Sequence, residues 1–385
     1  MRRIGITPEG PAFREQERIA AWLRSGEVEF FHIRKPQFTE QQMREYLSAF
    51  ATDVRHRLTL HDHHRLAMEM GIDGIHLNSR NAVVAKGLED KRLSASCHSV
   101  EEFVHRSGDC AYCFLSPIFD SVSKAGYRSA FSHLELKKAF AEGLLNEKAV
   151  ALGGVTNDKI TELQEIGFSA CASVGELWAL PKAMFITHHN ERFGYLESAL
   201  HALECGLRFV QLRMKDASDE DVLAIAERLR PACNRHAALL TVDDRIHLLR
   251  TGLFDGVHVG KNDMPVAEAK RITGSRFLLG ATCNTAHDAI SAIAAGADYL
   301  GVGPFRFTET KKKLAPVLGL QGYSDILQTL DEQHYNTPLY AIGGITPADL
   351  QPLKNVGVYG VAVSGMLLGN CDTDSAAEEL MRVFG

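Results

Sequence analysis

In the second half of the sequence Gln211, Arg213 and Lys215 stand at alternate positions, Asp243 and Asp244 are adjacent, and Asp263 closes the run Gly260-Lys261-Asn262-Asp263. Thr308, Glu309, Thr310 and Lys311 follow, then Gly343-Gly344 and Val363-Ser364-Gly365. Cations, hydroxyls and paired glycines suit a phosphate, because glycine lets backbone N–H groups approach an anion closely. Carboxylates converging from separate segments suit a hard cation such as Mg²⁺ that keeps several waters. Neither a Ser-His-Asp nor a Cys-His pairing accompanies them. The chemistry they fit is neutralisation and positioning of a charged leaving group, without a protein nucleophile. Each group alone has a plainer reading. Gln211 to Lys215 fits a solvated strand edge, Asp243-Asp244-Arg245 a turn, and the glycines tight packing. Lys312 and Lys313 read as solvated charge.

The same segments occur in both halves, in the same order, offset by roughly 180 to 190 residues. Phe31-His32-Ile33-Arg34-Lys35 matches Val210 to Lys215, and Leu58-Thr59-Leu60-His61-Asp62 matches Leu240 to Asp244. Asp73-Gly74-Ile75-His76-Leu77 matches Asp255 to Val259, Pro117 to Lys124 matches Pro304 to Lys311, and Ala151 to Thr156 matches Ala341 to Thr346. The first copy is altered where the chemistry lies. His32 replaces Gln211, Pro36 falls at Lys215, His61 replaces Asp243, Asn81 replaces Asp263 and Val174 replaces Ser364. Ser121, Ser123, Lys124 and Gly153-Gly154 persist. This copy is expected to have lost the metal-diphosphate set and to retain the capacity for a phosphate. His32, His61, His63 and His98 fall at expected strand ends as acid–base groups or metal ligands, although His61-Asp62-His63-His64 also reads as a polar loop. His76 matches His258 and is expected to serve the barrel itself.

Short apolar runs alternating with amphipathic stretches must position these residues. Strands are expected to start near Arg2, Glu29, Leu58, Asp73, Arg92, Ala111, Ala149 and Ser169, and again near Met184, Arg208, Ala238, Asp255, Arg276, Asp298, Leu339 and Gly360. Between them lie helices such as 219–230, with Val222, Leu223, Ile225, Ala226 and Leu229 at helical spacing, and one opened by Pro347. Eight strand–helix units per half imply an α/β fold of two tandem (β/α)₈ TIM barrels, over 1–180 and 183–385, joined near Leu180-Pro181-Lys182. The motifs then sit where such barrels carry chemistry, at the strand C-termini.

A chain of 385 residues suits two domains. Its net charge of −6 argues against nucleic acid or an anionic membrane as partner, so an anionic ligand must be gripped locally. No apolar run reaches a membrane span, and Pro8-Glu9-Gly10 breaks the start short of a signal peptide. Eight scattered cysteines fit the cytoplasm. Cys110 and Cys113 are read as lying in one strand over 110–115, on opposite faces, and so as separate buried thiols.

Over nearly the whole second half, the ordered series Gln-Leu-Arg-Met-Lys at 211–215, Asp-Asp-Arg at 243–245, Asp-Gly-Val-His-Val-Gly-Lys-Asn-Asp at 255–263, Gly-Val-Gly-Pro-Phe-Arg-Phe-Thr-Glu-Thr-Lys at 301–311, Ile-Gly-Gly-Ile at 342–345 and Val-Ser-Gly at 363–365 resembles thiamine phosphate synthases. The resemblance implies condensation of hydroxymethylpyrimidine diphosphate with thiazole phosphate, releasing pyrophosphate. It implies that Gln211, Leu212, Arg213, Met214, Lys215, Asp243, Thr282 and Lys311 hold the pyrimidine diphosphate, with Arg213, Lys215 and Lys311 catalytic. Thr308, Glu309, Thr310, Gly343, Gly344, Val363 and Ser364 would hold the thiazole phosphate, and Asp244 and Asp263 would hold Mg²⁺. The partners implied are small phosphorylated substrates, and a homo-oligomer is compatible. Two positions depart from the family pattern: Asp243 stands for the usual Asn, and Thr282 for the usual Ser. The first half resembles the related thiazole tautomerase group, yet Pro117 stands where those enzymes carry a catalytic histidine after strand 6. That half is therefore expected to be a tautomerase or a non-catalytic phosphate-ligand module. For the whole chain, a phosphate-ligand sensor is the rival to an enzyme.

Overall fold

Runs such as Leu239-Leu240-Thr241-Val242-Asp243 and Gly256-Val257-His258-Val259 are buried along their whole length, as parallel strands are when a sheet closes on itself and helices cover its outside. In the computed structural model, which describes residues 1–12, 14–120, 129, 131–307, 316–369 and 373–385, the chain divides into units Met1–Ala179 and Leu180–Gly385. The first unit contains β1 (Arg2–Ile6), β2 (Phe30–Ile33), β3 (Leu58–Leu60), β4 (Gly74–Leu77), β5 (Arg92–Cys97), β6 (Tyr112–Leu115), β7 (Ala149–Ala151) and β8 (Ala170–Ser173). The second contains β9 (Ala183–Ile186), β10 (Phe209–Leu212), β11 (Leu239–Asp243), β12 (Gly256–Val259), β13 (Leu278–Cys283), β14 (Tyr299–Val302), β15 (Leu339–Ile342) and β16 (Gly360–Val363). Each set pairs parallel in chain order and closes, β1 on β8 and β9 on β16. Both halves are therefore (β/α)₈ barrels. The strands begin within two residues of the positions expected from the sequence.

Side chains fill both interiors. Phe209, Tyr299 and Tyr340 pack edge to face with centroids 5.4 to 6.0 Å apart in the second barrel. Ile4, Ile6, Tyr112, Phe114 and Val150 cluster in the interior of the first. The helix expected over 219–230 runs on to Arg235, past Pro231, from a capping box of Ser218 with Asp221. Its Arg230 is buried and bonds Asp255 at 2.8 Å and the Ala238 carbonyl at 3.1 Å, while the Asp255 carboxylate accepts the Leu240 N–H at 2.7 Å. One ion pair thus ties the helix to β11 and to the start of β12. No helix among the described residues is long and apolar enough to cross a membrane.

One expectation is corrected. The strand begins at Tyr112, so Cys110 precedes it and strand alternation does not apply to the pair. The Cys113 thiol instead hydrogen-bonds both Cys110 and Cys97 in the core.

Gly74 and Gly256 hold the same place in the two copies, and neither has room for a side chain. A Cβ on Gly256 would lie 2.3 Å from the Leu278 carbonyl oxygen, and one on Gly74 2.2 Å from Thr59 Oγ1. Because the obstacle at Gly256 is backbone of the paired strand, Gly256→Ala is expected to cost at least about 2 kcal/mol, as overpacking does. Urea unfolding of the variant should show the loss as a lowered midpoint.

Candidate active site

The second barrel brings Gln211, Arg213, Lys215, Asp243, Asp244 and Asp263 together on one arc of its C-terminal rim. Strand β10 ends at Leu212, so Arg213 and Lys215 are not strand residues as the alternation implied; they occupy the loop that leaves it. Thr187, at the end of β9, holds that loop in place. Its hydroxyl accepts the Arg213 N–H at 2.9 Å and donates to the Arg213 carbonyl at 3.3 Å. Gln211 donates from Nε2 to Asp243 Oδ1 at 2.7 Å, and Arg213 Nε faces Asp243 Oδ2 at 3.4 Å. Lys215 Nζ lies 3.6 Å from Asp244 Oδ2. Both ion pairs are long. Each cation is near its carboxylate without the short, aligned contact of a charge-assisted hydrogen bond, and Asp243 Oδ2 is buried with no hydrogen-bond donor.

The carboxylates crowd one another. Asp244 sits at φ 63°, its N–H bonded to the His258 carbonyl, and hydrogen-bonds Asp263. Burial, that bond and the charges of Asp243 and Asp263 push Asp244 up to about 7, while the bond from Asp244 holds Asp263 below the usual carboxylate range. Burial also raises Asp243, against the opposing pull of Arg213 and Lys215. Asp244 and Asp263 thus resist being charged together, a strain that a cation between them would relieve. All the donors are oxygens, the donor chemistry of Mg²⁺. Asp263 Oδ2 is fixed by the Gly260 N–H at 2.8 Å. At the Asp243 departure, Gln211 satisfies one carboxylate oxygen and Arg213 stands near the other. Thr282, the other departure, accepts or donates against His258 Nε2 at 3.0 Å.

Leu212 and Met214 point away, into the apolar core between barrel and helices, so only their backbone groups can meet a ligand. Gly343 and Gly344, at φ 100° and 67°, press against the loop after β14: a Cβ on them would meet Pro304 and Arg306 at 3.0 and 2.9 Å. Arg306 in turn is gripped by both oxygens of Asp349. Val363 ends β16 and Ser364 follows it, half-buried. Thr308, Glu309, Thr310 and Lys311 lie outside the described residues, as do Ser121, Ser123 and Lys124 in the first copy.

Two participants escaped the sequence reading. Thr187 is one. His188 is the other: burial first, then the neighbouring charges of His189 and Arg213, lower its pKa. The internal repeat carried the clue, because Ile6-Thr7 matches Ile186-Thr187. Thr7 accepts the Arg34 N–H at 2.8 Å and donates to the Arg34 carbonyl at 3.2 Å.

In the first barrel that hinge survives, but the charges are spent elsewhere. Arg34 pairs with Glu9 at 2.6 Å, and Arg80 with Asp62 at 3.0 Å. Lys35 is buried against Glu15 at 2.8 Å and donates to the carbonyls of Pro8 and Gly10. Four of the histidines scatter or gather unexpectedly. His98 is exposed with Nδ1 on the Ser116 carbonyl, and His63 bonds the Phe38 carbonyl. His32 and His61 are buried inside the barrel, and His76, expected to serve the barrel itself, is buried beside them, its ring 4.2 Å from that of His61. Burial is the first cause that lowers the pKa of all three, His76 to about 3.

Residues 4–177 and 183–367 each match the family described as thiamine monophosphate synthase. Thiamine-phosphate synthase of Bacteroides fragilis is 47% identical over 199 residues, 52% of this chain and 98% of that protein. The enzyme of the same name from Flavobacterium johnsoniae is 38% identical over 186 residues, 48% and 88% respectively. Among solved structures, thiamine phosphate pyrophosphorylase from Pyrococcus furiosus has a TM-score of 0.47 and 33% identity, covering 53% of this chain and 95% of its own.

Proposed function

This chain belongs to the thiamine monophosphate synthase family, and from that premise we propose that its second barrel is a thiamine phosphate synthase, a transferase joining hydroxymethylpyrimidine diphosphate to thiazole phosphate with release of pyrophosphate. The observation that carries this reading is the convergence of Gln211, Arg213, Lys215, Asp243, Asp244 and Asp263 on one rim. The extent of the relatives points to the same half: 199 aligned residues exceed the first unit, Met1–Ala179, and fit within Leu180–Gly385.

The long Arg213–Asp243 and Lys215–Asp244 pairs leave both cations free to turn to diphosphate oxygens. Mg²⁺ bound by Asp244 and Asp263 would neutralise further charge on the diphosphate. The carbon–oxygen bond breaks with its electron pair going to pyrophosphate, leaving a methylene cation stabilised by the pyrimidine. The thiazole nitrogen lone pair then forms the new carbon–nitrogen bond. Each cation within 4 Å of the leaving group is worth about 4 kcal/mol at an effective dielectric near 20, so Arg213, Lys215 and Lys311 supply a large part of the barrier reduction. Thr282, with the Leu212 and Met214 backbone, completes the pyrimidine diphosphate site. Thr308, Glu309, Thr310, Gly343, Gly344, Val363 and Ser364 receive the thiazole phosphate.

The first barrel is read as a copy without this chemistry, because Glu9, Glu15 and Asp62 already occupy its cations. Incubating the full chain with both substrates and Mg²⁺ tests the proposal. Thiamine phosphate and pyrophosphate should form in equal amounts. Tight binding of thiamine phosphate without turnover would replace the enzyme by a sensor.

A further inference from the structure

We propose that His32, His61 and His76 form a binding site inside the first barrel for a divalent transition-metal ion of the Zn²⁺ class. The three come from neighbouring strands, His32 in β2, His61 just after β3 and His76 in β4, and their ligand nitrogens lie within 4.8 Å of one another. Among the described residues no other group of three or more potential ligands is so close. Three imidazoles make a borderline-soft set that selects Zn²⁺, Co²⁺, Ni²⁺ or Cu²⁺ over Mg²⁺, opposite to the all-oxygen set of the second barrel.

The surroundings turn one nitrogen of each ring toward the others. Ser94 Oγ gives its own proton to the Ile75 carbonyl at 3.3 Å, so toward His76 it accepts, from Nδ1–H at 2.9 Å. Nε2 of His76 is left as the ligand nitrogen, where the Ser96 hydroxyl now sits at 2.9 Å. The Tyr112 hydroxyl lies 2.6 Å from His32 Nε2, and His32 Nδ1 is turned to His61 Nε2, 2.8 Å away, with one proton between them that a metal ion would displace. Hydroxyl partners on the outer ring nitrogens are the usual way a protein fixes the tautomer and orientation of ligating histidines. Two ligands about 2.1 Å from a tetrahedral ion stand about 3.4 Å apart, so the ion would spread the His32–His61 pair by about half an ångström.

The two copies differ at these positions in a directed way. Gln211, Asp243 and His258 hold them in the second barrel, an amide and a carboxylate beside one imidazole. Ser94, which sets the His76 tautomer, is Gly280 there, where a Cβ would fall 2.5 Å from His258 Nδ1. Imidazoles and the serine that orients one of them occur in the same copy.

The test uses the full chain carrying Asp244→Ala and Asp263→Ala, which removes the oxygen site. Titration with Co²⁺ should give one ion per chain with the intense visible bands of a tetrahedral centre, displaced by Zn²⁺ and unaffected by excess Mg²⁺. His61→Gln and His76→Gln should each weaken Co²⁺ binding at least about a hundredfold, the scale on which ligand-shell changes act. X-ray absorption at the zinc edge of the Zn²⁺-loaded chain keeps the question open to decision if a variant fails to fold: three imidazole nitrogens and one oxygen ligand are expected. No Co²⁺ uptake, uptake unchanged in both histidine variants, or a shell of oxygens alone would overturn the site and leave the trio a hydrogen-bonded core network.

Discussion

Asp263→Ala in the full chain is expected to lower turnover of the two phosphorylated substrates by about a hundred- to a thousandfold, the loss that follows removal of one well-aimed electrostatic group. Asp263 is not an incidental neighbour of the cations. Its Oδ2 is aimed by the Gly260 N–H, and it hydrogen-bonds Asp244 across the rim. Alanine would leave Asp244 with Lys215 as partner and no second carboxylate for a cation. The effect should therefore appear as a steep rise in the Mg²⁺ concentration needed for pyrophosphate release. Lys261→Ala alters the same loop but removes only an exposed pair with Asp288, so it should leave the Mg²⁺ requirement near that of the parent. Lost turnover with an unchanged Mg²⁺ requirement would show that Asp263 serves something other than the metal.

The largest stability effect is expected at Arg230→Met. Methionine keeps helix propensity and apolar bulk but strands the Asp255 carboxylate, which is 2% exposed, without its cation. Breaking a buried pair on one side costs about 3–5 kcal/mol. Part of this should return in Arg230→Met/Asp255→Asn, where no buried charge remains and the amide oxygen can still accept the Leu240 N–H. Guanidinium unfolding of the two variants checks the order. A double variant as unstable as the single one would place the cost in packing and not in charge.

Much of this molecule is legible in the linear sequence because its governing period is short. Buried parallel strands are continuous apolar runs, and a motif such as Asp255-Gly256-Val257-His258 repeats with its glycine because a neighbouring backbone leaves no room for a Cβ. The rim residues are legible too, since strand ends follow once strands are placed. Contacts across strands are not. That Thr187 would hold Arg213, or that His76 would meet His32 and His61, depends on barrel register, which the pattern of one strand does not contain. The Cys110 reading failed for a related reason. Alternation was carried two residues before the strand, where it has no force. Likewise only the fold discloses that Glu15 and two carbonyls enclose Lys35.

On the proposed reading, the pairing of Arg34 with Glu9, Lys35 with Glu15 and Arg80 with Asp62 would make a loss of diphosphate binding in the first barrel hard to undo. Had the cations simply been deleted, a single reversion could restore attraction for a phosphate. Here Arg34, Lys35 and Arg80 are present but satisfied, so a new lysine or arginine would enter a rim partly balanced, and removing an acid alone would strand its partner, most expensively at buried Lys35. A return path needs paired changes, each of whose halves is unfavourable alone. On that reading the duplicated copy would be held in its altered state as by a ratchet, its sequence freer to drift toward another ligand than back to the first.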